Sequence, residues 1–289
     1  MTAIHVDLRQ NTPEWLEFRR SRIGASDAPI LMGQSPWKTP YQLWMEKNLK
    51  TETEETPAMA RGKALEDEAR KKFEDMTGLA MMGNRCYVHK ERPWQMCSLD
   101  GIDMEEKSIV EIKCPNRNDH DTAKSGHIPT KYYGQLQHQM AVMGLDHAYY
   151  FSYDGYDGAV VEVERNAEFV RELLDVEKTF YFDYYMKGTP PPLSEKDYIE
   201  QMSEHWDMAT CMYKDVDKKL KELEVKKDML RERLIGLANE RNSRGNGVTV
   251  SKTIRRGTVD YAQIPELQTV DLERYRKPSA PMWRINVHE

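Results

Sequence analysis

Cysteine is scarce in this chain. Cys86, Cys97, Cys114 and Cys211 are spread over 289 residues without a CxxC pair. That spacing argues against a disulfide scaffold and lacks the clustering of an iron–sulfur site, so reduced thiols are expected. Long apolar runs are missing too. No stretch approaches the roughly 18 residues of a membrane helix, and Met1 to Gln10 is too polar for a signal peptide. A soluble, intracellular protein with no membrane partner is the expectation. An overall positive charge is also lacking, the formal net charge being −6. Nothing global announces nucleic acid, although a local basic groove can hold phosphates on an acidic protein. What is abundant is charge of both signs, 31% of residues against 39% hydrophobic, which implies a lean core with exposed helices.

The chemistry concentrates in one stretch. Cys97-Ser98-Leu99-Asp100-Gly101 and Ile109-Val110-Glu111-Ile112-Lys113-Cys114-Pro115 read as two short strands joined by a polar turn over 102–108. Alternation sends Glu111 and Lys113 to one face, and Val110 and Ile112 to the other. Such a hairpin brings two carboxylates and an ammonium together. Carboxylates suit Mg²⁺, the metal polarises a phosphate and its water, and a lysine can orient or deprotonate that water. A plain surface hairpin with a cross-strand ion pair has the same residues.

Thr12-Pro13-Glu14 signals a helix start, and the helix turns basic at Arg19, Arg20 and Arg22. A turn over Ile23-Gly24-Ala25-Ser26-Asp27 then feeds a second helix capped by Ser26. A helix N-terminus beside arginines can take a phosphate, or it can be a solvated basic helix end. The loop Gln34 to Pro40 holds Ser35 and Trp37, and Trp37 could stack on a base or sugar. Trp44, inside the following helix, fits a core. A strong helix runs through residues 60–76 with Leu65, Ala69 and Phe73 as its apolar face, and Thr77-Gly78 ends it. Glu66 lies beside that face, as a metal ligand or as a solvated glutamate. Strands are expected at 86–89, 94–99, 147–153 and 159–163, a polar loop at 116–126, and helices at 130–143 and 167–186. The 130–143 helix carries Tyr132 and a run of amides, Gln135, Gln137 and Gln139, which could face a substrate or simply solvent.

Gly188-Thr189-Pro190-Pro191-Pro192 is the clearest boundary. It divides a core of residues 1–190 from an extension of residues 195–289. In the extension Val216, Leu220, Leu223, Leu230, Leu234 and Leu237 alternate in steps of three and four, with Lys227 in the seam. A helical hairpin arm or a short coiled coil fits this pattern. Residues 215–256 hold twelve Lys and Arg against seven Asp and Glu, a local +5 that could follow DNA or be a solvated face. Val248 to Ile254 alternates like a strand, with Thr258 to Ile264 pairing back.

Taken in order, Arg19 with Ile23-Gly24-Ala25-Ser26, Gly62-x3-Glu66, Ser98-Leu99-Asp100-Gly101, Glu111-Ile112-Lys113-Cys114-Pro115 and Tyr132-x2-Gln135-x-Gln137 resemble the lambda-type phage exonucleases. These are the YqaJ-like viral recombinase group of the PD-(D/E)XK nucleases. The resemblance covers roughly residues 12–186. It implies an α/β (α+β) fold, a mixed central β-sheet flanked by helices, here followed by a helical and β-hairpin extension. It implies 5′→3′ digestion of linear duplex DNA with Mg²⁺, two ions in all, and Mn²⁺ as a substitute. The 3′ single strands would serve homologous recombination with a single-strand annealing protein, in a ring-shaped homotrimer. A phage or prophage gene acting in the bacterial cytoplasm is implied as well. By the same resemblance, Glu66, Asp100, Glu111 and the Ile112 carbonyl look like metal ligands. Lys113 looks like the water-activating lysine, and Gln135 like the glutamine lining the site. Arg19, with Ser26 nearby, resembles the arginine that holds a 5′-phosphate. Ser35, Trp37 and Tyr132 complete the expected substrate contacts. The alternatives are a structure-specific or restriction-type endonuclease of the same fold, or a non-catalytic DNA-binding scaffold.

Overall fold

The structure is a computed structural model that describes residues 2–50, 56–253, 257, 264–267, 270–277, 285 and 287. The chain divides into two units, Met1–Tyr198 and Ile199–Glu289.

The first unit is built on two sheets. One has the order β1-β4-β5-β2, from Ala3–Val6, Arg85–His89, Gln95–Leu99 and Ile23–Gly24. The other has the order β3-β6-β7-β8-β9, from Met81–Met82, Gly101–Asp103, Ile109–Lys113, His147–Tyr153 and Gly158–Glu164. Both are mixed: β2 runs parallel to β5 and β7 parallel to β8, while the other pairs are antiparallel. The simple hairpin expected over 97–113 is therefore two pieces. β5 and β6 are nearly continuous in sequence but belong to different sheets, and β7 pairs with β6. Asp100 stands at the changeover. Gly101 makes it possible, because a Cβ there would come within 2.6 Å of Val110 Cγ1 and 3.1 Å of Met81 Cβ.

Helices cover the sheets, and their starts follow local chemistry. In α1 (Pro13–Arg20), Thr12 accepts from the Trp15 amide. In α3 (Pro40–Leu49), Thr39 and Gln42 form a reciprocal cap. In α4 (Pro57–Thr77), Thr56 caps the start and Gly78, at φ 74°, ends it. The short α2 (Ala28–Leu31) follows a 3₁₀ turn over Ala25–Asp27. Ser26 lies within that turn rather than capping the second helix. The side chain that bonds back to the Gly24 amide is that of Asp27.

Between β7 and β8 the chain makes α5 (Arg117–Lys124) and α6 (Thr130–Met143). The expected loop at 116–126 is thus a helix, started by the Asn116 side chain, which accepts from Asp119 N. The sheet between these helices and α4 carries the core. Ala69 and Phe73 of α4 pack on Val110, Ile112 and Phe151. Leu136 and Met140 of α6 pack on the opposite side with Leu99, Ile109 and Tyr150. Trp44 is buried, in a smaller cluster with Ile23, Trp94 and Phe180. α7 (Ala167–Thr179) does not continue as α-helix to residue 186. It passes into a π-helix over Phe180–Tyr185, where Tyr181 stacks on Trp94 and the Tyr184 carbonyl accepts from Trp44 Nε1.

In the second unit α8 (Glu204–Ala238) is one continuous 35-residue helix, so the hairpin-arm reading of 216–237 is corrected. The strand at 248–254 is shorter than expected, β11 being Val248–Val250, and it pairs with β10 (Ser243–Gly245). The proposed partner strand Thr258 to Ile264 lies, but for Ile264, outside the described residues. The four cysteines form no disulfide. Among the described residues no helix is long and apolar enough to cross a membrane.

Candidate active site

Glu111 lies in the middle of β7, 1% exposed, and its carboxylate is gripped from three sides. Oε1 accepts from Lys113 Nζ and from Gln135 Nε2, both at 2.5 Å. Oε2 accepts from Gln139 Nε2 at 2.5 Å. Strand alternation places Lys113 on the same face as Glu111. The i,i+4 spacing of Gln135 and Gln139 puts both amides on one side of α6. Gln139 Oε1 is buried without a hydrogen-bond partner.

Asp100 approaches from the changeover between sheets. Its Oδ2 accepts from the Ile112 amide at 2.9 Å, and Arg70 Nε donates to its main-chain carbonyl at 3.0 Å. Burial raises the Asp100 carboxyl well above the usual range, and the Glu111 and Glu66 charges push the same way. Glu66, half-buried on α4, is also raised, by burial first and then by Asp67 and Glu111 against the pull of Arg70. Arg70 Nη2 lies 3.7 Å from Glu66 Oε1, and Asp67 holds that guanidinium more closely at 2.5 Å. Burial alone would lower Lys113, but Glu111 and Asp100 outweigh it and raise its pKa, keeping the ammonium charged.

Three carboxylates thus crowd one ammonium and a shared guanidinium. Among the described residues no three His, Cys, Asp or Glu side chains form a ready metal-ligand set. The donor chemistry nevertheless fits Mg²⁺. All the candidates are hard oxygens, and the crowding that raises Asp100 and Glu66 is relieved by added positive charge. Asp100, Glu111, Glu66 and the Ile112 carbonyl would hold it.

Beside this centre stands a row of rings and cations. Lys113 Nζ lies 5.5 Å from the Tyr132 ring centroid. Tyr132 stacks on buried Tyr150 and lies 6.5 Å from Trp37, which is 65% exposed. Lys131 Nζ sits 4.9 Å over Trp37 and 5.3 Å over Tyr132 while bridging to Asp119 at 2.6 Å. Ser35 faces its own loop, accepting from the amides of Trp37 and Lys38.

Arg19 and Ser26 meet each other. Arg19 Nη2 donates to Ser26 Oγ at 2.8 Å and lies 3.4 Å from Asp27 Oδ1. Asp27 is 1% exposed and also receives Lys47 Nζ at 2.8 Å and the Gly24 amide at 2.9 Å. Burial would raise its carboxyl, but Lys47 and Arg19 outweigh that and hold it below the usual range. The Arg19 guanidinium lies 5.5 Å from the Trp15 ring, whose Nε1 donates to Ser98 Oγ, two residues before Asp100.

The structure therefore gathers Asp100, Glu111, Lys113, Gln135, Tyr132 and Trp37 in one chain of contacts. Glu66 joins electrostatically, and Arg19 with Ser26 forms a neighbouring pair. Sequence reasoning gave no site role to Asp27, Lys47, Trp15 and Lys131, and named Gln139 only among the amides of the 130–143 helix. The repeat of Gln135 one helical turn on was the available signal for Gln139. Nothing local marked Lys47, whose partner lies twenty positions away. Gln137, one of the suspected amides, is structural: it bonds the Glu164 carbonyl and the Asn166 amide.

Residues 14–146 match the family described as the YqaJ-like viral recombinase domain. The uncharacterized protein YqaJ of Bacillus subtilis (strain 168) is 31% identical over 194 residues, 65% of this chain. The match covers 61% of that relative, so the chain spans about three-fifths of its length. The crystal structure of an alkaline exonuclease, LHK-Exo from Laribacter hongkongensis, is similar at 27% identity and a TM-score of 0.54. That match covers 61% of this chain and 94% of the other. The same enzyme in complex with dAMP matches at 26% identity with the same TM-score. Residues 14–146, which contain the acids, the lysine and the glutamine described above, are thus the part of the chain that is similar to the YqaJ-like viral recombinase domain.

Proposed function

We propose that this protein is a Mg²⁺-dependent nuclease that digests linear duplex DNA from its 5′ ends. The resulting 3′ single strands would be substrates for a single-strand annealing protein. One observation carries the reading: the Glu111 carboxylate, buried and held by Lys113, Gln135 and Gln139 beside Asp100. A module that only binds DNA needs no such arrangement. The likeness to an alkaline exonuclease supports the choice of an exonuclease over other nucleases.

Bound Mg²⁺, or Mn²⁺ in its place, would polarise the phosphodiester and lower the pKa of an attacking water. The remaining work falls to the chain. Lys113, kept as an ammonium, donates to a phosphoryl oxygen or to water and offsets charge in the transition state. Gln135 and Gln139 fix the Glu111 carboxylate so that its orientation is set before substrate arrives. Tyr132 and Trp37 offer ring faces to unstacked bases, and Lys131 supplies positive charge beside them. Arg19, aligned by Ser26 and Asp27, presents a guanidinium suited to a terminal phosphate.

The test is digestion of one linear duplex, labelled separately at its 5′ and 3′ ends, beside a closed circle. Early loss of 5′ label, an intact circle and no cutting by Lys113→Ala is the expected result. Cutting of the circle would make the protein an endonuclease. DNA binding without cutting, by wild type in Mg²⁺, would leave it a scaffold.

A further inference from the structure

Among the described residues the second unit presents an exposed apolar seam. α8 is about 52 Å long at 1.5 Å per residue. The apolar seam from Val216 to Leu237 continues upstream, at the same three-and-four spacing, through Tyr213 to Trp206. The only apolar gap in its larger half is Lys227. This is the 3.5-residue period of supercoiled helices, not the 3.6-residue period of a helix lying on a globular core. The seam is exposed throughout: Leu223 by 59%, Leu230 by 60% and Leu237 by 75%.

We infer that α8 pairs, in parallel and in register, with α8 of a second copy of this chain as a two-stranded coiled coil. The charges flanking the seam favour that direction. One flank is basic, with Lys219, Lys226 and Arg233, while the other begins with Asp217 and Glu224. An antiparallel pair sets the basic flank against itself along its whole length. A parallel pair sets unlike flanks together, bringing Lys219 opposite Glu224 of the second copy. Lys226 opposite Arg231 is the like-charge contact that remains. Lys227 fits the same geometry, because a single polar seam residue fixes register at a cost in stability. In a two-stranded coil its stem can lie along the seam while the ammonium reaches water at the edge. The area suffices. A strip of that length and about 10–12 Å wide on each chain comes to roughly 1,000–1,250 Å² for the pair, the size a specific interface needs.

The test uses the full chain with Cys211→Ser, which removes the exposed thiol of α8. Leu230→Cys places a thiol in the seam, and Lys218→Cys places one on the outer face. Under mild oxidation Leu230→Cys should form a covalent dimer at least ten-fold more readily than Lys218→Cys. In a separate measurement, Leu223→Asp with Leu230→Asp should lower the particle mass at sedimentation equilibrium, with an unchanged thermal melt of the first unit as the control for folding. Absent or position-independent cross-linking, or an unchanged mass, would overturn the inference. The seam would then belong to residues 254–289 of its own chain or to another protein.

Discussion

Glu111 is held by groups that differ in what they contribute, and single substitutions separate them. Lys113 supplies charge. Lys113→Ala should lower cleavage by roughly 10²–10⁴-fold while duplex binding in Ca²⁺ persists; unchanged turnover would remove it from the mechanism. Gln139 supplies orientation through Glu111. Gln139→Leu should therefore raise the Mg²⁺ concentration needed for half-maximal cleavage by about 10–100-fold, as loss of a supporting hydrogen bond does at metal sites. A Mg²⁺ titration of the variant checks this, and a lower rate with the same half-point would contradict it. Arg19 faces a different task. Arg19→Ala should abolish any preference for 5′-phosphate over 5′-hydroxyl ends, measured on paired substrates that differ only in that group.

At the scale of elements, α6 is anchored by a buried ion pair. His138 Nδ1 lies 2.6 Å from Glu177 Oε1 of α7, both are 0% exposed, and His138 Nε2 bonds the Met96 carbonyl at 2.9 Å. Gln95 Nε2 donates to the other Glu177 oxygen. Burial would lower the His138 pKa, yet Glu177 and the Met96 carbonyl outweigh it and raise it above 6.5. A raised folded-state pKa stabilises fully below the unfolded value and is lost as pH climbs through the folded one. Wild type should thus lose its advantage over His138→Gln as pH rises above about 6.5. Parallel thermal melts from pH 6 to 9 measure it, and a constant gap would contradict it. At its largest the gap should approach the ~3–5 kcal/mol of a broken buried pair.

The elements also show what was legible in the chain. Glu111, Lys113 and the α6 glutamines were readable because strand alternation and helical spacing are local. Asp100 was identified, but its setting as a bridge between sheets was not. Gly101 permits that changeover through contacts with Met81 and Val110 that no local pattern encodes. The α5 helix was hidden because it buries only His120 and Ala123, leaving a sequence as polar as a loop. The π-helix was equally invisible, since it depends on how Tyr181 and Tyr184 meet Trp94 and Trp44.

For the whole molecule, charge would decide the conditions under which the proposed substrate is held. The chain is acidic overall, at −6, so the duplex contact we propose would depend on local cations such as Arg19 and Lys131. Binding measured in Ca²⁺ should weaken steadily as salt rises, through counterion release. Chelation of divalent metal should stop digestion completely while the protein stays folded, since every carboxylate at the site already has a protein partner. A melt that collapses on chelation would show that the metal is structural instead.

The changeover at Asp100 has a consequence in time. Asp100 hangs from the end of one sheet, Glu111 lies within the other, and α6 must dock before its amides reach either. A half-folded chain, with only one sheet formed, has no acid cluster at all. On the proposed nuclease reading, newly made protein could not cut DNA until both sheets have formed and α6 has docked.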